Sequence, residues 1–109
     1  MSHGETRIEG VLLDEELTVT LAELTRMCGS SVRTLQLMVT EGVLHPQGAA
    51  PREWRFDGPE IRRARRALRL RRDLELNLNG TALALDLIDE LERLRDRIRI
   101  LERQVGERG

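Results

Sequence analysis

The sequence predicts a mostly α-helical chain: a winged helix-turn-helix domain with a small β-wing, then a long C-terminal coiled-coil dimerisation helix. Two short amphipathic helices meet at a Gly-Ser turn between Thr20 and Gly42, which is a helix-turn-helix unit. A turn-rich stretch and a short aromatic strand follow at residues 47–56. Leu87, Leu91, Leu94, Ile98, Leu101 and Val105 then alternate steps of four and three, a heptad seam with only apolar residues in it.

A chain of 109 residues has room for one domain and an extended appendage. With one Trp, one Phe and no Tyr, its core must be built of Leu, Ile, Val and Ala, a palette suited to helices. No apolar stretch approaches the ~20 residues of a membrane span, and the opening MSHGETRIEG lacks the apolar core of a secretory signal, so a cytoplasmic protein is expected. Cys28 is the sole cysteine, which excludes an intrachain disulfide.

Residues 1–16 mix Gly, Glu and Arg around Val11-Leu12-Leu13 and are expected to be a flexible acidic arm. The winged domain is placed at residues 17–76. Leu17-Thr18-Val19-Thr20 alternates apolar and polar, as a short strand does. Thr20 and Glu23 form a capping box for a helix that buries Leu21, Leu24 and Met27, and Gly29 ends it. Ser30 or Ser31 caps the second helix, in which Val32, Leu35, Leu37 or Met38, and Val39 face inward until Gly42. Gln47 to Pro51 is a turn leading into a Glu53-Trp54-Arg55-Phe56 strand, the expected wing.

Asp57 caps a helix at 58–76 with Pro59 in its first turn and Ile61, Ala64, Leu68 and Leu74 inward. Asn77 starts the dimerisation helix, 77–105, leaving 106–109 as a disordered tail. An apolar seam in water needs a partner, since full burial of a Leu or Ile contributes ~1.5 to 3 kcal/mol. Leu83, Leu85 and Ile88 are assigned to the domain and the heptad to a second subunit, which predicts a homodimer.

Net charge is −1, but it is segregated: residues 1–30 carry −4 and residues 58–73 carry +5. The basic residues are all Arg, and Arg62, Arg63, Arg65, Arg66, Arg69, Arg71 and Arg72 crowd one helix. They point all round it, so only a subset faces one duplex; pairing with acids and covering apolar surface are the competing roles. The second helix of the helix-turn-helix has Arg33 as its only basic residue. Duplex affinity rests on phosphate neutralisation, so DNA binding is expected to be weak or absent.

Trp54 and Phe56 are the only aromatics. Aromatics anchor binding surfaces, but they also pack hairpins onto cores, and both readings stay open. His3 and His45 stand without neighbours that make a ligand set or catalytic pair, and Cys28 reads as a small buried residue. Neither a phosphate loop nor a nucleophile-base arrangement is visible. No enzyme, cofactor or metal is therefore expected.

With these parts in order, the chain resembles the MerR superfamily: Val32-Arg33-Thr34-Leu35 and Gly42-Val43-Leu44 match the start and end of its recognition helix. Where members continue with Arg-Tyr-Tyr, this chain has Gln36, Leu37 and Met38. Trp54-Arg55-Phe56-Asp57, Ala67-Leu68-Arg69-Leu70-Arg71, Asp73-Leu74, Leu83-Ala84-Leu85, Leu87 and Asp89-Glu90-Leu91 are similar to the narrower CbpM family of chaperone modulators. The acidic arm is not part of that pattern.

That resemblance implies an inhibitor that binds the J-domain of a DnaJ-type co-chaperone, of the curved-DNA-binding protein A type, and blocks its work with DnaK. J-domains present a basic helix to DnaK, so carboxylates are the implied contacts, with Asp86, Asp89 and Glu90 the best placed. Trp54, Arg55, Arg69 and Arg71 are implied as further partner contacts. The bland reading of the acids is a solvated face pairing with Arg93 or Arg97, at ~0.2 to 0.5 kcal/mol each. A MerR-type DNA-binding transcriptional regulator is the alternative function, and a structural dimerisation adaptor is a third.

Overall fold

The computed structural model describes residues 6–8, 11–13 and 17–108. Two short strands, β1 (Thr6–Ile8) and β2 (Val11–Leu13), pair antiparallel with Thr6 opposite Leu13. The rest of the expected acidic arm lies outside the described residues. Four helices follow: α1 (Leu21–Cys28), α2 (Val32–Thr40), α3 (Gly58–Asp73) and α4 (Leu78–Arg108).

Local chemistry sets the helix ends. The Thr20 hydroxyl accepts from the Glu23 amide at 3.1 Å while the Glu23 carboxylate accepts from the Thr20 amide at 2.9 Å, closing the capping box. Ser31, rather than Ser30, caps α2 through the Thr34 amide at 3.1 Å, and Asp57 caps α3 through the Glu60 amide at 3.0 Å. Asn77 does the same for α4, accepting from the Gly80 amide at 2.7 Å. Helix α2 ends in a Schellman turn: Gly42 takes φ 77°, and the Val43 amide reaches back to the Met38 carbonyl at 2.8 Å.

The core gathers one stripe from each helix. Val19, Leu24, Leu35, Met38, Val43, Leu44, Phe56, Ile61, Ala64, Ala67 and Leu85 are buried together. Leu21, Met27 and Leu68 pack at its edge, half-buried. Three expectations are corrected here. Val32 and Leu74 are exposed, because each sits where its helix begins or has just ended and the stripe has not reached, or has passed, the core. Leu83, assigned to the domain, is exposed as well: it lies one turn before Leu87 and shares the outer face of α4, leaving Leu85 as the buried anchor.

The segment before α3 holds single bridges in place of a ladder. Val19 pairs with Phe56 and Gln47 with Arg55, while Pro51–Glu53 forms a 3₁₀ turn where the strand was expected to begin. Leu17 to Thr20 likewise contributes only Val19 to pairing. Helix α3 stops at Asp73, earlier than residue 76, and α4 continues to Arg108, past Val105. At 1.5 Å per residue, its 31 residues extend about 46 Å. Thr81 and Leu85 bury its first turns against α3, whereas from Glu90 to Glu107 every residue is exposed. Among the described residues no helix is long and apolar enough to cross a membrane.

Candidate functional site

The place where α4 leaves the domain is built around Arg63. It flanks the buried stripe Ile61, Ala64 and Ala67 of α3, so its stem is covered and its guanidinium emerges between elements. Nε donates to the Val43 carbonyl at 2.7 Å, Nη1 to the Asp89 carboxylate at 3.1 Å, and Nη2 lies 3.9 Å from Asp86. Three elements therefore meet on one side chain: the turn after α2, helix α3 and helix α4.

One turn along α3, Arg66 pairs with Glu92 at 3.6 Å. Arg62, Arg63, Arg66, Pro59 and Glu60 line a groove of about 450 Å³ beside this junction. Glu60 also accepts the His45 amide at 2.6 Å, tying the loop after α2 to the first turn of α3. The sequence counted Arg63 and Arg66 only among the seven arginines and passed over Glu92; the available signal for the two arginines was their position beside an Ala-lined buried stripe.

Among the predicted contacts, the structure brings Asp86 and Asp89 together at Arg63, and places Glu90 next to them, paired with Arg93. The side chains differ in access: Asp86 is 77% exposed, Asp89 38% and Glu90 53%. An ionised carboxylate has about four acceptor positions, so each retains capacity for a further donor. The hydrogen bond and charge of Glu90 raise the Arg93 guanidinium above its ordinary value.

Trp54 is half-buried and meets the buried Phe56 edge-to-face, with ring centroids 6.3 Å apart and planes at 85°. Arg55 between them is exposed. Arg69 and Arg71 do not join the carboxylates. They lie toward the other end of α3, Arg71 about 12 Å along the axis from Arg63, facing grooves that also contain Cys28.

On α2, Arg33 is exposed, Gln36 and Leu37 are half-buried, and Met38 is a core residue. The apolar character of Met38 therefore reports packing, and Arg33 is the one cation that α2 carries. The heptad residues Leu87, Leu91, Leu94, Ile98, Leu101 and Val105 are all at least 46% exposed. With Leu83 they make one continuous apolar face on the outer length of α4. Among the described residues no group of three or more His, Cys, Asp or Glu is arranged to hold a metal ion.

A helix-turn-helix leading through an arginine-rich helix to a projecting apolar-faced one is the architecture of a MerR-type protein, and the family model "MerR HTH family regulatory protein" matches residues 19–103. A chaperone modulatory protein CbpM of Coxiella burnetii is 35% identical over 96 residues, covering 88% of this chain and 91% of the relative. The CbpM of Pseudomonas putida is 41% identical over 69 residues, 63% of this chain and 68% of the relative, and that of Pseudomonas entomophila is 38% identical over 69 residues with the same coverage. The chain belongs to the CbpM family of MerR-like proteins.

Proposed function

We propose that this protein is a chaperone modulator that binds the J-domain of a DnaJ-type co-chaperone and blocks its interaction with DnaK. Kinship with proteins named chaperone modulatory protein CbpM across most of the chain is the observation that carries this reading. The J-domain docks where α4 leaves α3, its basic helix meeting Asp86, Asp89 and Glu90, and Trp54, Arg55, Arg69 and Arg71 add contacts around it. Charge steers the approach and the bulk of the long helices excludes DnaK.

The active form is a cytoplasmic homodimer in which the α4 heptads pair as a coiled coil and residues 47–56 serve as a wing. The exposed apolar face of α4 supports the pairing, because association of two copies removes that face from water, a gain the lone helix forgoes. The family model's regulatory title and the exposed Arg33 favour a second reading, a DNA-binding transcriptional regulator.

Titrating the full-length protein against a J-domain and a random duplex at physiological salt separates the two. We expect J-domain binding without duplex binding, and loss of it in the Asp86→Lys/Glu90→Lys variant with the oligomeric state unchanged. These two acids are chosen because Asp89 also fastens α4. Unchanged affinity in that variant removes the carboxylates from the interface, and duplex binding with no J-domain binding rejects the co-chaperone reading.

A further inference from the structure

Two arginines of opposite character hold the acids at the α3–α4 junction. Arg63 reaches them from α3: its side chain is 21% exposed, and Nε stays on the Val43 carbonyl at 2.7 Å while Nη1 meets Asp89 at 3.1 Å. Arg93 reaches them from α4 itself. Asp86, Glu90 and Arg93 follow at steps of four and three, and Asp89 stands four before Arg93, so the four share a helix face. Arg93 donates a hydrogen bond to the Glu90 carboxylate. That bond first, then the charges of Glu90, Asp89 and Asp86, raise its guanidinium above the ordinary value.

The two differ in what keeps them there. Moving Arg63 away takes the donor from a backbone carbonyl whose residue, Val43, is buried, and a buried acceptor left unpaired is costly. Arg93 has no such anchor. Its side chain is 67% exposed, and its hydrogen-bond partner Glu90 is 53% exposed. An exposed pair of this kind is weak, because water competes for both groups and two long side chains lose freedom in making it. Arg93 also lies off the heptad seam, between Leu91 and Leu94 in sequence. A displaceable cation thus stands over three carboxylates, where a cation of a docking helix has to come.

We propose that Arg93 is an intramolecular stand-in for the partner's cation: it occupies Glu90 and screens Asp86 and Asp89 in the free protein, and gives way when the basic helix of a J-domain docks. This rests on the co-chaperone reading and adds to it a residue that sets affinity with the opposite sign to a contact. Removing a contact weakens binding. Removing a competitor strengthens it, because the incoming cation breaks no existing pair and meets the field of all three carboxylates. Arg93 also sharpens selectivity: a partner with a single cation gains little over the pair it breaks, whereas a row of cations engages Asp86 and Asp89 as well.

The test measures by calorimetry, at low and at physiological salt, the affinity of the full-length protein for the J-domain of a DnaJ-type co-chaperone. Arg93→Gln should bind about two- to fivefold tighter, and the gain should shrink as salt rises. Arg93→Lys keeps the charge and should bind as the native protein does. Arg26→Gln removes an exposed cation from α1, outside the junction, and should also match it. A native protein that does not bind rejects the co-chaperone reading and this proposal with it. Where the native protein binds, unchanged or weaker binding by Arg93→Gln, an equal gain in Arg26→Gln or Arg93→Lys, or a gain indifferent to salt would each overturn the proposal alone.

Discussion

Arg63 and Asp89 join α3 to α4 through a 3.1 Å hydrogen-bonded ion pair, and the same guanidinium holds the Val43 carbonyl at 2.7 Å. The long helix is thereby registered against the turn that ends α2. Replacing Arg63 with Met keeps the stem but leaves the Val43 carbonyl and the two aspartates without their donor. We expect a loss of about 1 to 3 kcal/mol in urea unfolding. A double-mutant cycle with Asp89→Asn should give coupling of about 0.2 to 1 kcal/mol, and additive effects would mean that the pair contributes nothing.

Gly48 permits the turn before the 3₁₀ segment. Its φ is 109°, and a Cβ there would stand 2.5 Å from the Glu53 carbonyl oxygen, a backbone atom that cannot swing aside. Gly48→Ala should destabilise by about 1 to 3 kcal/mol. An unchanged melting temperature would show that the turn relaxes.

Glu75 offers the opposite case. Among the described residues it is the non-glycine with positive φ, 54°, and it sits where the Leu76 amide returns to the Arg71 carbonyl at 3.0 Å to close α3. The left-handed conformation costs a side chain about 1 to 2 kcal/mol, against about 0.5 to 1 for the extra freedom glycine loses on folding. Glu75→Gly should therefore raise the melting temperature slightly, and a clear fall would contradict this reading of the cap.

The capping box makes α1 sensitive to acid. Hydrogen bonds from the Thr20 amide and hydroxyl hold the Glu23 carboxyl below its ordinary value. A carboxyl depressed on folding contributes stability in full above its unfolded value, and loses it as pH falls through the folded one. The stability gap between the native protein and Glu23→Gln should thus be present at neutral pH and shrink below the usual carboxylate range. A gap that persists at low pH would place the effect elsewhere.

The apolar face of α4 predicts a strong effect of charge. Leu94→Asp/Ile98→Asp introduces carboxylates at the middle of the heptad, and sedimentation equilibrium should show monomers in place of the dimers proposed above. Folding of the part built by α1, α2 and α3 should survive, since neither residue belongs to its buried cluster. Dimers that persist would mean that another surface pairs the subunits.

What the sequence determined by itself was the local grammar. Thr20, Asp57, Asn77 and Gly42 set helix ends with partners no more than five positions away, and the periodicity of α4 is visible without coordinates because a helix repeats every 3.6 residues wherever it lies. Family membership was legible for the same reason, in runs of neighbouring residues. Tertiary structure decided which of seven arginines reaches which carboxylate, that Met38 belongs to the core while Leu83 faces outward, and that the wing segment makes bridges in place of a ladder. Those outcomes depend on how α3 lies against α4 and on the turn after α2. The packing of Ala64, Ala67 and Leu85 sets that arrangement, and no local spacing encodes it.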